Sequence, residues 1–210
     1  MKSDPNIENH RTDKSEITLK LSVVAPCYNE EGNIEELERR VSEACRAVAG
    51  DSYEIVLVDD ASKDGTWVAI QRVAENTGNI IGVNLSRNYG HQLALSAGLS
   101  VARGERILII DADLQDPPEL VGEMMKLMDE GADVVIGQRL ERPGDSGLRK
   151  AASSVSYRML PRLPDVEIPL DAGDFRLTSR RVLERLTAMP EHHRFIRGMI
   201  RRWGCTPHPS

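Results

Sequence analysis

Asp111 and Asp113, separated by one residue, are the pair whose type and spacing best suit metal chemistry. They follow the apolar run 106–110. Side chains at i and i+2 of an extended chain point the same way, so both carboxylates can face one point, and Gln115 joins them if the extension persists. Hard oxygen ligands beside a phosphate-bearing substrate suit Mg²⁺ or Mn²⁺. The alternative is an acidic turn that only caps the next helix, but Asp116 is better placed to cap.

A second acidic pair, Asp59 and Asp60, ends the apolar run 53–58. A carboxylate at the end of a strand can accept hydrogen bonds from a ribose hydroxyl or from the edge of a base. Asp, Ser and Gly also serve ordinary strand-to-helix turns, as in the segment 61–66 that follows. The residues alone leave these two interpretations open.

Other catalytic signatures are missing from the sequence. It contains no GxGxxG after its first apolar run, no GxxxxGK[ST] phosphate loop, no HExxH pair and no GxSxG serine elbow. We therefore expect His91, His192 and His193 to be surface or packing residues. Three scattered cysteines fit neither a disulfide framework nor a cysteine-built zinc site, which makes a reducing cytoplasm the default compartment.

The composition is that of a folded domain. The chain has 210 residues, of which 40% are hydrophobic and 29% charged, with a net charge of −6. An acidic balance argues against general nucleic-acid binding. Residues 1–18 are polar, carry no secretory signal and are expected to be a disordered leader. No apolar run approaches the ~18 residues that a spanning helix needs.

Short apolar runs alternate with helical patterns along the rest of the chain. The predicted strands are 19–25, 53–58, 80–85, 106–110 and 132–136, and the predicted helices are 33–49, 64–76, 90–102 and 117–130. Asn33 with Glu36, and Asp116 with Glu119 around Pro117, resemble capping boxes. The alternation predicts a doubly wound α/β sheet with ligands at the carboxyl ends of the strands, where the polar clusters fall.

Four segments occur in an order typical of one enzyme family: Val24–Glu31, Val58–Thr66, Asp111–Glu119 and Gly173–Leu177. Together they resemble family 2 glycosyltransferases of GT-A fold. The nearest match is the polyprenyl-phosphate sugar synthases, such as dolichyl-phosphate mannose synthases and bacterial undecaprenyl-phosphate glycosyltransferases. The resemblance runs from about residue 19 to residue 203. It implies a Rossmann-like, mostly parallel sheet with helices on both faces, and a catalytic domain at 19–190.

The resemblance assigns roles residue by residue. The nucleotide-sugar site it implies consists of Pro26, Tyr28, Glu30, Val58, Asp60, Asp111, Ala112, Asp113 and Arg139. In that site Asp111, Asp113 and Gln115 would hold Mg²⁺ or Mn²⁺ against the donor diphosphate. Asp174 matches the carboxylate proposed as catalytic base. Since a phosphate acceptor with a second pKa near ~6 is already largely ionised at pH 7, we expect Asp174 mainly to orient the acceptor or the sugar.

The implied reaction moves a sugar from a UDP- or GDP-sugar to a polyprenyl phosphate with inversion at the anomeric carbon. One alternative is a family 2 transferase with a soluble or polysaccharide acceptor. Another is a nucleotide-sugar-binding relative with little turnover, and a homo-oligomer stays open. Relatives usually continue with a further basic stretch and transmembrane helices, so we expect this chain to be truncated relative to them.

The segment 191–210 is expected to be basic and amphipathic. Its apolar residues Phe195, Ile196, Met199, Ile200 and Trp203 recur at helical spacing, flanked by Arg194, Arg197, Arg201 and Arg202. This pattern predicts a basic amphipathic helix, which suits a membrane surface. Packing on its own domain is an equal alternative on the residues alone. The resemblance favours peripheral contact with the cytoplasmic face of a membrane.

Overall fold

The computed structural model describes residues 19–139, 155–160, 175–187 and 200–203. The strands are β1 (Leu21–Cys27), β2 (Tyr53–Asp59), β3 (Ile80–Leu85), β4 (Arg106–Ile109), β5 (Val134–Arg139), β6 (Val155–Leu160), β7 (Arg176–Ser179) and β8 (Ile200–Trp203). The helices are α1 (Ile34–Ala49), α2 (Thr66–Asn76), α3 (His91–Val101), α4 (Val121–Asp129) and α5 (Arg180–Thr187), and a 3-10 turn (Pro118–Leu120) precedes α4.

The eight strands form one sheet in the order β6-β5-β7-β4-β1-β2-β3-β8. Neighbours among β4, β1, β2 and β3 pair in parallel. Strand β7 runs antiparallel between β4 and β5, and β6 and β8 are antiparallel to their neighbours at the two edges. The carboxyl ends of the four parallel strands therefore open onto one side of the molecule.

Helices cover both faces of the sheet, which confirms the predicted α/β class. Strand residues Leu21, Ile55 and Leu108 pack with α1, α2 and α4 in one buried cluster. The alternate residues Val24 and Ile107 pack with α3 and α5 in a second cluster. Because parallel strands are buried on both faces, their sequences are continuous apolar runs, and this is why they could be located before the structure was known.

Helix α3 lies close against the sheet because it carries a glycine at the contact. A Cβ on Gly98 would lie 2.4 Å from Val24 Cγ1 and 2.9 Å from Val58 Cγ2. Any larger residue there would push α3 away from β1 and β2. The first residue of α3, His91, is placed at the carboxyl side of the sheet by this packing.

Both predicted capping boxes are wrong. The side chain of Asn33 makes no cap bond to α1 and instead donates to Glu30 Oε2 at 2.6 Å. Glu36 pairs with Arg39. The 3-10 turn before α4 also begins without a side-chain cap, and Glu119 binds Arg40 of α1. In the first box Glu30 and Arg39 take the side chains of Asn33 and Glu36, and in the second Arg40 takes that of Glu119.

The predicted C-terminal helix is wrong at its end. Ile200–Trp203 is strand β8, paired antiparallel with β3 from Leu85↔Ile200 to Gly82↔Trp203. The backbone groups of the edge strand β3 attract a pairing partner, and this outweighs the helical spacing of the apolar residues. Residues 188–199 and the leader 1–18 lie outside the described residues.

A buried carboxylate joins three segments at the amino ends of the strands. Glu54 is 1% exposed. Its Oε1 accepts from Ser22 Oγ at 2.7 Å and from the Arg103 backbone N–H, and its Oε2 accepts the Arg103 guanidinium at 2.8 and 2.9 Å. Ser22 Oγ in turn accepts from the Gly104 N–H at 2.7 Å. This Glu54 network fastens β1, β2 and the turn before β4 together.

Among the described residues, none of the helices combines the length and apolar character that crossing a bilayer requires.

Candidate active site

The loops that leave the carboxyl ends of β1 and β2 are bound to each other. Asn29 N–H donates to Ser62 Oγ at 2.9 Å, and Lys63 N–H donates back to Asn29 Oδ1 at 2.9 Å. Asn29 holds a left-handed φ of 57°, a conformation that Asn tolerates better than most residues. The two loops therefore form one rigid unit beside the exposed ring of Tyr28.

A second set of bonds extends this unit to the start of α2. Glu30 N–H donates to Thr66 Oγ1 at 2.8 Å, and Gly65 N–H donates to Glu31 Oε2 at 3.0 Å. A Cβ at position 65 would meet the Glu31 carboxylate, so a larger residue there would displace that side chain from the Gly65 N–H. Of the predicted site residues, Pro26 and Val58 face each other in the register of β1 and β2.

Asp60 is buried and holds the loop between β3 and α3. Its Oδ1 accepts the Tyr89 N–H at 2.7 Å and its Oδ2 accepts the Gly90 N–H at 2.8 Å. These bonds fix the exposed residue Arg87, whose guanidinium lies 4.7 Å from the centre of the Tyr89 ring. Asp60, which the sequence analysis assigned to the nucleotide-sugar site, thus also positions a neighbouring loop.

The adjacent carboxylate, Asp59, lies in a different environment. It is 2% exposed, and Asp59 Oδ1 accepts the Ser62 N–H at 3.2 Å. Burial raises the pKa of Asp59 above its ordinary value, because a charged carboxylate is poorly solvated there. Ala61, in the turn that follows, carries a left-handed φ of 54° that disfavours a residue with a Cβ.

Asp111 and Asp113 lie in a turn and not in an extended segment, which corrects the geometric reason given for their pairing. Strand β4 ends at Ile109, Leu114 has a φ of 60°, and Asp113 Oδ1 accepts the Gln115 N–H at 3.0 Å. Asp113 is exposed, and the Asp111 side chain is 33% exposed. Both carboxylates are thus accessible from solvent at the carboxyl end of β4.

His91, expected from the sequence to be a surface or packing residue, is 39% exposed and lies beside a predicted metal ligand. Its Nε2 lies 3.8 Å from Asp111 Oδ1, although the two residues follow different strands. Gly90, which Asp60 holds, directly precedes it. Asp60, the 86–91 loop and Asp111 therefore form a continuous row along the sheet edge. His91 directly follows the polar cluster 86–90 at the end of β3.

The donor set fits a divalent cation shared with a bound phosphate ligand. The described residues contain no group of three His, Cys, Asp or Glu side chains placed to hold a metal. Mg²⁺ is commonly held by one or two carboxylates with substrate phosphates completing its shell. Asp111 and Asp113 supply two such carboxylates on one turn, and Gln115 adds a side-chain oxygen on the same turn.

Cys27 ends β1 beside this edge, but its thiol is not a nucleophile. Burial raises the pKa of Cys27, and the nearby carboxylate of Asp59 raises it further. The thiol therefore stays protonated at neutral pH, and thiol nucleophilicity requires the thiolate.

Arg139 and Asp174, two of the predicted site residues, have side chains outside the described part of the structure. Arg139 ends β5 opposite Val155. Asp174 lies outside the described residues. The next residue, Phe175, is buried, and its carbonyl accepts the Gly137 N–H at 2.9 Å.

The sequence matches the model of the family described as glycosyl transferase family 2 over residues 22–187. A curated relative from Synechocystis, an uncharacterized glycosyltransferase, is 40% identical over 184 residues, covering 88% of this chain and 58% of the relative. The prophage bactoprenol glucosyl transferase homolog of Escherichia coli is 35% identical over 182 residues, covering 87% of this chain and 59% of the relative. The chain thus spans less than two thirds of these relatives.

A solved structure with the same fold is a mannosyltransferase from Pyrobaculum calidifontis in complex with GDP-Man and Mn²⁺. It is 25% identical, with a TM-score of 0.57, over 81% of this chain and 48% of that one. The likeness confirms the GT-A fold expected from the four sequence segments.

Proposed function

The chain belongs to glycosyl transferase family 2, and from this we propose that it transfers a sugar from a nucleoside diphosphate sugar to a polyprenyl phosphate. The observation that carries the donor half is the continuous row from Asp60 through the 86–91 loop to Asp111. Buried Asp60 holds the loop at one end of this row, and at the other end two accessible carboxylates are proposed to hold a metal–diphosphate.

The nucleoside end is the rigid unit formed by the β1 and β2 loops. Exposed Tyr28 offers an aromatic face beside it and Glu30 is half-buried next to it, whereas Pro26 and Val58 are buried within the paired strands. A preformed pocket loses little conformational entropy when the donor binds. Arg139, at the end of β5, is proposed to contact the donor from the other side.

The metal end is proposed to hold Mg²⁺ or Mn²⁺ through Asp111, Asp113 and Gln115, with Ala112 beside the donor. A divalent cation there would neutralise charge that develops on the diphosphate leaving group. The acidic residues of this edge would otherwise repel an anionic donor. The mannosyltransferase of similar fold that was solved with GDP-Man and Mn²⁺ supports this reading.

The acceptor end is proposed to involve Asp174. Its neighbour Phe175 bonds to Gly137 of β5 and directly precedes β7, which pairs with β4, the strand before Asp111. A phosphate acceptor is already ionised at neutral pH, so Asp174 is proposed to orient the acceptor or the sugar. Displacement from the face opposite the diphosphate would invert the anomeric carbon.

The lipid acceptor is proposed because relatives named as bactoprenol glucosyl transferases are 34–35% identical to this chain. Peripheral contact with the cytoplasmic face of the membrane, through the basic segment 191–210, belongs to the same proposal. The four arginines of that segment, Arg194, Arg197, Arg201 and Arg202, would attract anionic lipids.

The test is release of nucleoside diphosphate from UDP- and GDP-sugars with Mn²⁺, with and without undecaprenyl phosphate in detergent. Release that requires the lipid phosphate supports the proposal. Release that instead requires a soluble sugar acceptor would show that the acceptor is not a polyprenyl phosphate. Tight donor binding without release under any condition would point to a binding protein.

A further inference from the structure

Arg40 and Glu119 join two elements that are far apart in the sequence. Arg40 Nε donates to Glu119 Oε1 and Arg40 Nη2 donates to Glu119 Oε2, both at 2.9 Å. The Arg40 side chain is 23% exposed and that of Glu119 is 55% exposed. A bidentate pair of this kind fixes both distance and orientation, which a single hydrogen bond does not.

Glu119 lies at the downstream end of the turn that carries the proposed metal ligands. The upstream end is fixed where Ile110 N–H donates to Val24 O at 3.2 Å. Downstream, Pro117 and Pro118 restrict the backbone, and Pro118 is buried. Glu119 follows directly, so its bond to Arg40 closes the segment 110–119 onto α1.

The segment between these two ends contains a strained residue. Leu114 has a φ of 60°, which a residue with a branched side chain adopts only when its surroundings enforce it. The Asp113–Gln115 bond forms inside this strained turn. An anchor at each end is therefore needed to keep Asp111 and Asp113 in their present arrangement.

Arg40 is itself firmly placed. It lies on α1 between Leu37 and Val41, which are each 1% exposed in the core. Helix α1 begins at Ile34, immediately after the loop that carries Tyr28 and Glu30. The same helix thus supports the nucleoside end of the site and reaches the metal end.

We propose that Arg40 is a positioning residue, which through Glu119 holds the turn 110–119 in the shape that presents Asp111 and Asp113 to a divalent cation. This inference rests on the proposed function only for the identity of the ligand. The pair is partly exposed to solvent and adds modestly to global stability, so its effect is mainly local. Removing it should relax the turn and weaken metal binding while leaving the fold intact.

The first measurement is Mn²⁺ affinity, from the electron paramagnetic resonance signal of free Mn²⁺ in the presence of UDP or GDP. Arg40→Gln and Glu119→Gln should each weaken Mn²⁺ binding roughly threefold to thirtyfold. Arg40→Lys keeps the positive charge but cannot form the bidentate pair, so its Mn²⁺ affinity should lie between those of the wild type and Arg40→Gln. The double reversal Arg40→Glu with Glu119→Arg should recover most of the affinity.

The matched control is Arg39→Gln, the neighbouring arginine of α1, whose partners Glu36 and Glu43 lie on the same helix. It should leave Mn²⁺ affinity unchanged. All variants should unfold within about 4 °C of the wild type, because exposed ion pairs contribute little. Equal Mn²⁺ affinity in Arg40→Gln and the wild type, or equal weakening by Arg39→Gln, would overturn the inference.

The second measurement separates this inference from the proposed function. Amide hydrogen exchange of peptides covering 110–119 is followed in the metal-free protein. Arg40→Gln should speed exchange there and not in peptides of β1 or β2. If the wild type takes up no Mn²⁺, the proposed function fails, whereas faster exchange in Arg40→Gln still supports the positioning role of Arg40. Unchanged exchange in Arg40→Gln would by itself overturn the positioning role of Arg40.

Discussion

The carboxylate of Asp60 accepts the backbone N–H of Tyr89 at 2.7 Å across a gap of 29 residues in the sequence. Its other oxygen accepts the Gly90 N–H. A residue expected to meet the donor therefore also supports the loop that leads to His91. Its substitution should change stability and binding together.

Asp60→Asn replaces one acceptor by an amide that faces a buried N–H. We expect the free energy of unfolding to fall by about 1–3 kcal/mol, since a buried donor loses its partner. Urea denaturation measures this change, and calorimetry with a nucleotide sugar should show weaker binding. The control Asp51→Asn, at an exposed position, should stay within about 0.5 kcal/mol of the wild type. Full stability in Asp60→Asn would contradict the supporting role.

Ala61→Gly should not destabilise the protein, because Ala61 holds a φ of 54°. Relief of the left-handed conformation gains about 1–2 kcal/mol, and the greater freedom of glycine in the unfolded chain offsets about 0.4–1 kcal/mol of it. The same substitution at exposed Ala47 in α1 should lose up to about 1 kcal/mol. Equal losses at both positions, measured by urea denaturation, would show that the turn is not left-handed in solution.

Asp113→Ala should weaken Mn²⁺-dependent donor binding by at least about tenfold, the lower end of what even outer-shell substitutions cause. Calorimetry with donor and Mn²⁺ checks this result. The same titration with EDTA should show little difference between variant and wild type, because no metal then bridges the carboxylate and the diphosphate. Unchanged affinity in Mn²⁺ would remove Asp113 from the metal site.

Asp174→Asn should lower the transfer rate by about tenfold to a hundredfold. This loss is smaller than the removal of an acid–base group usually causes, because the phosphate acceptor needs little deprotonation. Donor affinity should stay nearly intact. Turnover and calorimetry on the same preparation separate these two effects. Loss of donor binding would move Asp174 to the nucleotide site.

Asp59→Asn should raise stability at neutral pH relative to the wild type, because burial raises the pKa of Asp59. Between the unfolded pKa of about 3.9 and the higher folded pKa, the folded state binds more protons than the unfolded state. The wild type therefore loses stability as the pH rises through this window. The amide oxygen of Asn can still accept the Ser62 N–H. Urea denaturation should therefore show the two proteins converging below about pH 4 and separating above it. A pH-independent difference would contradict the raised pKa.

The sequence was sufficient for the parallel core, and it also indicated the sheet edge at which the site is proposed. Strands buried on both faces are continuous apolar runs, so β1 to β4 were predicted within two residues of their ends. Polar clusters follow these strands, and the rule that ligands meet their carboxyl ends placed the site.

The bonds that shape the site were not predictable, because they join loops far apart in the sequence. Asp60 reaches Gly90 and Arg40 reaches Glu119, and no local pattern encodes either contact. Local patterns misled at the capping boxes and at Ile200–Trp203, where partners elsewhere in the fold determine the outcome. The fold followed from periodicity, whereas the site depended on tertiary pairing.

The Glu54 network keeps its buried negative charge at the end of the sheet opposite the proposed diphosphate site. Glu54 and Asp60 are six positions apart along β2, which corresponds to roughly 20 Å of extended chain. Salt screens buried charges only weakly, so it is the Arg103 guanidinium, 2.8 Å from Glu54, that neutralises this charge locally. The paired charge at the amino end of the sheet therefore adds little repulsion at the end where an anionic donor is proposed to bind.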